Sequence, residues 1–394
     1  MTFIAILGRQ PELGIAELEM VFGGKSITPV SNQATKIEAI NFDIQKFGGV
    51  PKAGRIIMEL PISDWHQISQ KIVSFYMHEW SKFEGKITLG ISAYDCLVNQ
   101  HEVQKTGIIL KQKLKKYGVS LRLIPNAEPA LNSAVSHHNK LGLAQNKVEI
   151  LIVKTYDKKI IIAESTGSQN ITAYAKRDQN RPKRDAFVGM LPPKLAQIMI
   201  NLAYVEMKDN KSQKPVVLDP FCGTGVILQE AALMGYSVYG TDLSEKMIRY
   251  SRDNLNWLAE SHNVVFDWYL HEGDAQTTKW NQPIDAVVCE SYLGQPFSAP
   301  PSPVKLTEVV NNCNHIISEF LKNLAPQIKS GTPVCIAIPA WRDKNGNFTH
   351  LPLVSTVARF GYKRHEFHNV SQNDLLYYRE DQIVARELLV IIRD

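Results

Sequence analysis

The amino-acid sequence predicts an α/β protein with a doubly wound, Rossmann-like sheet in its second half, preceded by a mixed α+β region. Three observations carry that expectation. From about residue 187 onward, short apolar runs alternate with amphipathic stretches, the rhythm of parallel strands and covering helices. One of those runs, "VVLDPFCGTG" at 216–225, leads through closely spaced glycines into a helix. Ahead of it the order is strand, helix, hairpin, with a basic excess: residues 101–185 hold sixteen Lys and Arg against seven Asp and Glu.

At 394 residues the chain exceeds one typical core. The texture divides it into 1–170, a charged segment 171–186, and 187–394. In the first part "KITLGISAYD" (86–95) reads as a strand. "HEVQKTGIILKQKLKKYG" (101–118) reads as an amphipathic helix stopped by Gly118, and "KVEILIVKTYDKKIIIAEST" (147–166) as a hairpin turning at 157–159. "YAKRDQNRPKRDAF" (174–187), nearly devoid of apolar residues, reads as a linker or an exposed basic strip. "MLPPKLAQIMINLAYVEM" (190–207) is a helix with proline in its first turn, where the missing N–H costs nothing. Strands follow at "PVVLDPF", "SVYGTD", "DAVVCE" and "PVCIAIPA", and helices at "GVILQEAALMG", "SEKMIRYSRDNLNWLA" and "NHIISEFLKNLA". "GQPFSAPPSPVK" (294–305) is the densest turn region, placed to shape a substrate mouth or to act as a rigid spacer.

The bulk composition, 44% hydrophobic and 21% charged, is that of an ordinary globular protein. No run approaches eighteen apolar residues, which speaks against a membrane span. The start, "MTFIAILGRQPELG", carries neither a basic leader nor a small-residue cleavage site, so no secretory signal is expected. The five cysteines are scattered without CxxC spacing, against zinc or a disulfide framework and in keeping with a reducing cytoplasm. His137 and His138 are adjacent and so ill placed to share a ligand geometry; no metal is expected. The net charge of +5 conceals the excess in 101–185, since the remainder is slightly acidic. Such a segment points to a polyanion, most often nucleic acid, although a solvated lysine-rich face would look the same.

The glycine loop suggests a cofactor. Gly223 and Gly225 let the backbone approach a ligand closely, and the helix behind them offers free N–H groups. The acid in front discriminates between ligands. A carboxylate at Asp219 repels a pyrophosphate but suits the ammonium and sulfonium of S-adenosyl-L-methionine. Leu228 also stands where a dinucleotide fingerprint has its third glycine. Asp242, closing the second strand, is placed for two ribose hydroxyls, and Asp274, closing the third strand region, for an adenine amine. Each acid alone could be a helix N-cap; three in this order argue for a ligand. Lys194, after the prolines of "MLPPK", would reach the donor's carboxylate or cap a surface turn. Trp341 and Arg342 follow a late strand and would touch RNA or lie in an exposed loop.

"DPFCGTG", "GTD" and "GDA" resemble the donor-binding motifs of class I methyltransferases. "RPKRDAFVGMLPPKLAQIMINLA" (181–203) resembles the lead-in helix of THUMP-domain RNA methyltransferases. The basic first half, with "GVSLRLIPNAEPALNSAVSHHNKL" (118–141), is similar to a THUMP module and the ferredoxin-like domain before it. The nearest relatives in that likeness methylate the exocyclic N2 of a guanosine at position ten of tRNA. The resemblance implies donor-binding roles for Asp219, Phe221, Gly223, Gly225, Asp242, Leu243, Asp274 and Ala275. It also implies tRNA or another structured RNA as partner. Arg177, Arg181, Lys183 and Arg184 would contact phosphate, unless they belong to a solvated linker.

The likeness breaks at the reacting group. In that family the fourth strand ends in Asp or Asn, two prolines and an aromatic, because an exocyclic amine is a poor nucleophile that acceptors must aim and an aromatic must hold. This chain has Glu290-Ser291-Tyr292-Leu293. Glu290 and Tyr292 are the catalytic candidates, with Tyr292 one place early and Leu293 in the usual aromatic position. A remodelled amino-methylating site, a site retuned to another base or RNA, and a donor-binding RNA-binding protein without turnover all stay open.

Overall fold

A computed structural model describes residues 1–62, 64–185, 191–206, 214–297 and 299–394. Residues 186–190 and 207, at the ends of the expected linker and helix, and 298, in the expected mouth, lie outside the described residues. The chain forms two compact units, one of Met1–Ile15 and Phe22–Ala173, the other of Ala16–Val21 and Tyr174–Asp394.

The first unit is built on one eight-stranded mixed sheet. Its strands are β1 (Thr2–Ile6), β2 (Ile27–Ser31), β3 (Ala34–Glu38), β4 (Lys52–Leu60), β5 (Lys86–Tyr94), β6 (Ser120–Leu123), β7 (Lys147–Lys154) and β8 (Ile160–Ser168), in the order β2-β3-β1-β4-β8-β7-β5-β6. β7 and β8 are the expected hairpin, and Lys158 takes the left-handed conformation in its turn (φ 65°). The helices are α1 (Pro11–Phe22), α2 (Trp65–Trp80), α3 (Gln100–Lys115), α4 (Ser133–His138) and α5 (Ile171–Gln179), of which α1 gives Ala16–Val21, and α5 everything from Tyr174 on, to the second unit. α3 is fixed at its start by Asn99, whose side chain accepts from the Glu102 N–H at 3.0 Å. It buries Val103, Leu110 and Leu114 against the sheet and leaves Lys105, Lys111, Lys113 and Lys115 exposed.

α5 corrects one expectation. Residues 171–179 are helix, not linker, because the Asn170 side chain accepts from the Ala173 N–H at 2.9 Å and Tyr174 is buried. The high charge of this stretch masked a capped helix with one buried face.

The second unit contains α6 (Pro193–Leu202), β9 (Val216–Asp219), α7 (Val226–Leu233), β10 (Ser237–Asp242), α8 (Glu245–His262), β11 (Trp268–Glu272), β12 (Ala286–Glu290), α9 (Pro303–Leu324), β13 (Pro333–Arg342), β14 (Phe348–Thr349), β15 (Tyr362–Arg364), β16 (Leu376–Tyr377) and β17 (Val384–Arg393). The main path of its sheet runs β11-β10-β9-β12-β13-β17-β15, with the first five strands parallel and β17 antiparallel to both β13 and β15. The doubly wound sheet expected from the alternating pattern is present. β9 is the turning point of the strand order, so the carboxyl ends of β9 and β12 border a topological crevice. α9 begins at Pro303 rather than near 314: Ser302 accepts from the Lys305 N–H and Pro303 occupies the first turn. The end of the proline-rich region is therefore a helix start.

Inside the first unit, Lys52 (β4) and Glu149 (β7) form an ion pair that is almost fully buried. Lys52 also donates to the Leu131 carbonyl at 2.6 Å, and Ser92 donates to Glu149 at 2.6 Å. Burial lowers the Lys52 pKa even though Glu149 opposes that shift. Lys52→Met is expected to destabilise the protein by about 3–5 kcal/mol because it strands the buried carboxylate. The joint change Lys52→Met, Glu149→Leu should recover most of that loss, and urea unfolding of both variants measures it.

Candidate active site

β9 delivers Asp219 to the crevice already buried, at 2% exposure. Its Oδ1 accepts from the Phe221 N–H at 3.1 Å, which turns the chain into the loop 220–225. Gly223 and Gly225 both take positive φ, 51° and 80°. A Cβ on Gly225 would lie 2.9 Å from Ser251 Oγ, so the loop and α8 approach as only glycine allows. α8 grips the loop by its carbonyls: Ser251 donates to Gly223 O at 2.8 Å and Asn254 to Thr224 O at 2.8 Å. Val226 and Ile227, in the first turn of α7, face the same crevice.

Asp242 at the end of β10 has its two oxygens on two different backbones. Oδ2 accepts from the Gly223 N–H and Oδ1 from the Ser244 N–H, each at 2.9 Å. It is thus a clamp between the glycine loop and the entry to α8, whose N-cap is Ser244. Each oxygen keeps a lone pair for a ligand.

A cavity of about 320 Å³ joins these parts. Of the sequence candidates it is lined by Asp219, Phe221, Gly223, Asp242, Glu290 and Tyr292. Leu191, Cys222, Thr224, Ser291, Leu293 and Gly294 also line it and were not singled out for donor binding. The glycine loop and the fourth-strand loop contain five of those six, so proximity in the chain was the available signal. Four candidates stand elsewhere. Gly225 lies behind the loop against α8, Leu243 is 72% exposed, and Ala275 is packed in the core. Asp274 accepts from the Gln276 N–H at 2.9 Å and takes the Gln276 side chain as well, outside the lining of this cavity.

Three acids, Asp219, Asp242 and Glu290, border one cavity. Burial pushes the Asp219 carboxyl well above the usual range, and the charges of Asp242 and Glu290 add to that rise. Asp242 is raised too, chiefly by burial and against its two N–H partners. Crowded, desolvated carboxylates of this kind call for a ligand that brings positive charge.

Glu290 closes β12 and has a partner that sequence reasoning missed. Arg386, on β17, donates from Nε to its Oε1. Ser291 follows, buried, with its N–H and its hydroxyl both donating to Ala337 O at 3.0 Å. Tyr292 is 44% exposed and Leu293 half-buried beside it. Both line the cavity, so neither of the two arrangements weighed for the aromatic position excludes the other residue.

The basic candidates part company. Arg177 makes a two-point pair with Glu230 at 2.6 and 3.1 Å and lies over the Tyr174 ring. Arg181 is 3% exposed, with Asp178 at 4.0 Å. Both turn inward, which corrects their expected place on an exposed strip. Lys183 remains partly exposed and Arg184 exposed. Lys194, half-buried over Tyr174 at 5.2 Å, does not line the cavity, and burial lowers its pKa. Trp341 is buried, and Arg342 stacks on Tyr378 at 5.3 Å.

Comparison with known proteins agrees with this geometry. Residues 211–344 match a family described as a methyltransferase domain, and residues 61–253 match one described as a DNA methylase. The chain is 25% identical over 356 residues to a tRNA (guanine(10)-N2)-dimethyltransferase of Methanothermobacter thermautotrophicus, covering 87% of this chain and 90% of that one. It is 35% identical to the protein of the same name from Pyrococcus abyssi over 109 residues, 28% of this chain and 26% of that one. The crystal structure of TrmN from Thermus thermophilus superposes with a TM-score of 0.53 at 16% identity, covering 100% of this chain and 99% of that one, a likeness of fold. S-adenosyl-L-methionine suits these residues, which offer acids for its cationic groups and a glycine loop open to close backbone approach. It is the cofactor of this protein. The chain thus carries a methyltransferase domain and is similar, along most of its length, to a tRNA guanine-N2 methyltransferase.

Proposed function

We propose that the protein methylates the exocyclic N2 of a guanosine in tRNA, at the position-ten type of site, as a cytoplasmic enzyme. The observation that carries this reading is the placement of Glu290 and the exposed Tyr292 on the same cavity as Asp219. Donor binding, an acceptor for an amine and a surface for a base then share one crevice. The near-full-length curated relative, named for this reaction, supports the choice of substrate.

Bound in the crevice, the donor supplies a methyl group made electrophilic by its sulfonium. The chain does the rest. Asp219 and Asp242 hold the donor's polar groups, while Gly223 keeps that wall free of a side chain. Glu290 Oε1 is occupied by Arg386, and Oε2 accepts an N–H of the guanine amine. That hydrogen bond orients the nitrogen lone pair and receives the proton that leaves as the N–C bond forms. Tyr292 offers its ring face to a base drawn out of its stack, while Leu293 supplies an apolar edge.

The exposed lysines of α3, with Lys183 and Arg184, are proposed to meet RNA phosphates. Domain assignment follows as a proposal: a ferredoxin-like plus THUMP-like RNA-binding part before the catalytic part. Nucleoside mass spectrometry of tRNA after incubation with the protein and the donor tests the whole reading. N2-methylated guanosine is the expected product; a methylated adenine or cytosine would redirect it, and no methylation would end it.

Asp219→Ala is expected to weaken donor binding at least about tenfold, about 1.4 kcal/mol or more. Glu290→Ala should keep donor affinity and lower kcat by about 10²–10⁴-fold. Calorimetry and a methylation assay separate the two outcomes, and unchanged turnover in the Glu290 variant removes its assignment.

Donor binding should also depend on pH. Asp219 titrates above the usual carboxyl range in the free protein, and the cationic donor favours its ionised form. Binding therefore releases a proton, and affinity rises with pH until free Asp219 is fully ionised. Calorimetry in buffers of different ionisation enthalpy detects that proton; a flat affinity between about pH 5 and 7 would contradict it. RNA binding is expected to weaken steeply as salt rises, since several phosphates are neutralised together. A salt-insensitive complex counts against the basic residues.

A further inference from the structure

Glu290 leaves β12 with two features that loosen it relative to a short acid followed by prolines. Its side chain has one more rotatable bond than Asp, and residues 291–293 are Ser, Tyr and Leu. Two contacts oppose that freedom. Ser291 pins the backbone to Ala337 O through its N–H and hydroxyl. Arg386 pins the side chain through Nε.

The second contact spans a strand. Glu290 stands opposite Ala337 on β13, Ala337 opposite Leu388 on β17, and Arg386 opposite Pro339. Adjacent paired residues share a face of the sheet and alternate along each strand, so Glu290, Ala337, Pro339 and Arg386 lie on one face. The small Ala337 leaves room for the guanidinium to cross. Arg386 is itself held between two neighbours, since β17 pairs with β13 on one side and with β16, through Tyr377, on the other. Its side chain is 14% exposed and that of Glu290 18%, so the pair is little screened by solvent. Arg386 does not line the cavity, whereas Glu290 does. The next residue, Glu387, pairs with His350 at 2.8 Å and points to the opposite face.

We propose that Arg386 is a positioning residue for methyl transfer: it fixes the Glu290 carboxylate by one oxygen so that the other is presented to the substrate amine. The role rests on Glu290 acting as the acceptor described above. Arg386 places a fixed positive charge behind one of three clustered acids and holds Glu290 in one rotamer as it meets the substrate. An Arg serves here because its rigid planar fork aims the Nε–H at Oε1 in one direction, which a freely rotating Lys ammonium does not do. It touches neither donor nor substrate and acts through Glu290.

The test compares Arg386→Met and Arg386→Lys in the full chain, measuring kcat, KM for tRNA and donor affinity. Arg386→Met is expected to lower kcat by about 10²-fold, the scale of a misplaced reacting group, with donor affinity within about twofold of the parent. Arg386→Lys, which keeps the charge and loses the fork, should recover kcat to within about tenfold of the parent. Retained donor binding reports an intact sheet edge in each variant. Full turnover in Arg386→Met overturns the proposal, and so does a parallel loss of donor affinity and kcat in both variants, which would mark a structural role. Glu290→Ala keeps the two readings apart. If it stays active, the acceptor assignment fails; if it is inactive while Arg386→Met is not, only the role of Arg386 fails.

Discussion

The constraint on which the catalytic unit depends is the burial of Asp219 without a cationic partner among the described residues. Its carboxyl ends β9 inside the sheet edge, accepts one backbone N–H, and shares its cavity with Asp242 and Glu290. Burying a carboxylate in this way is costly unless it is neutralised or paired. Two of the three acids are partly satisfied by the chain: Asp242 by two backbone N–H groups and Glu290 by Arg386. Asp219 alone is left with an unmet charge, raised toward its neutral form until a cationic ligand arrives. On the proposed reading a cationic methyl donor would relieve this deficit, and a pyrophosphate would not.

The sheet topology explains why these groups meet at all. β9, β10 and β12 are neighbours in space though Asp219 and Glu290 are far apart in sequence, and the reversal of strand order at β9 opens the crevice between their carboxyl ends. The glycine loop can be held tightly because α8 binds its carbonyls from behind, leaving the front free. Packing and chemistry use opposite sides of the same six residues. Gly225 serves the packing side and Gly223 the cavity side, a division that motif matching alone does not make.

Much of this was legible in the sequence, for physical reasons. Parallel strands buried on both faces read as continuous apolar runs, so β9, β10, β12 and β13 stand out. An acid that ends such a run is conspicuous because burial makes it expensive, which is why Asp219, Asp242 and Glu290 stand out. Asp274 ends no such run and stands outside the cavity, where its carboxylate accepts from Gln276 two residues on. Leu243 and Ala275 were carried by motif neighbourhood, and one faces solvent while the other faces the core. Charge misled most: Arg177 and Arg181 look like a basic strip, yet one is paired with the buried Glu230 and the other is itself buried. Arg386 was invisible because its meeting with Glu290 depends on β17 lying one strand beyond β13, a fact of sheet order with no local signature.

The charge pattern also bears on how a polyanion could present a substrate to such a cavity. An acid-lined crevice repels phosphate, so on the proposed reading the RNA backbone cannot follow its target into the site. The first unit carries exposed lysines on α3 and the second the partly exposed Lys183 and the exposed Arg184, while the rim of the cavity offers Tyr292 and Leu293. A neutral base enters such a rim without the electrostatic cost of a phosphate, and its flat face is what Tyr292 can hold. Extrusion of the base, with its phosphates left at the positive surface, then follows from the sign of the charges as much as from the need to reach the amine. The acids that secure a cationic donor would at the same time keep the anionic backbone at a distance, so donor selection and base-first entry would arise from one cluster of carboxylates.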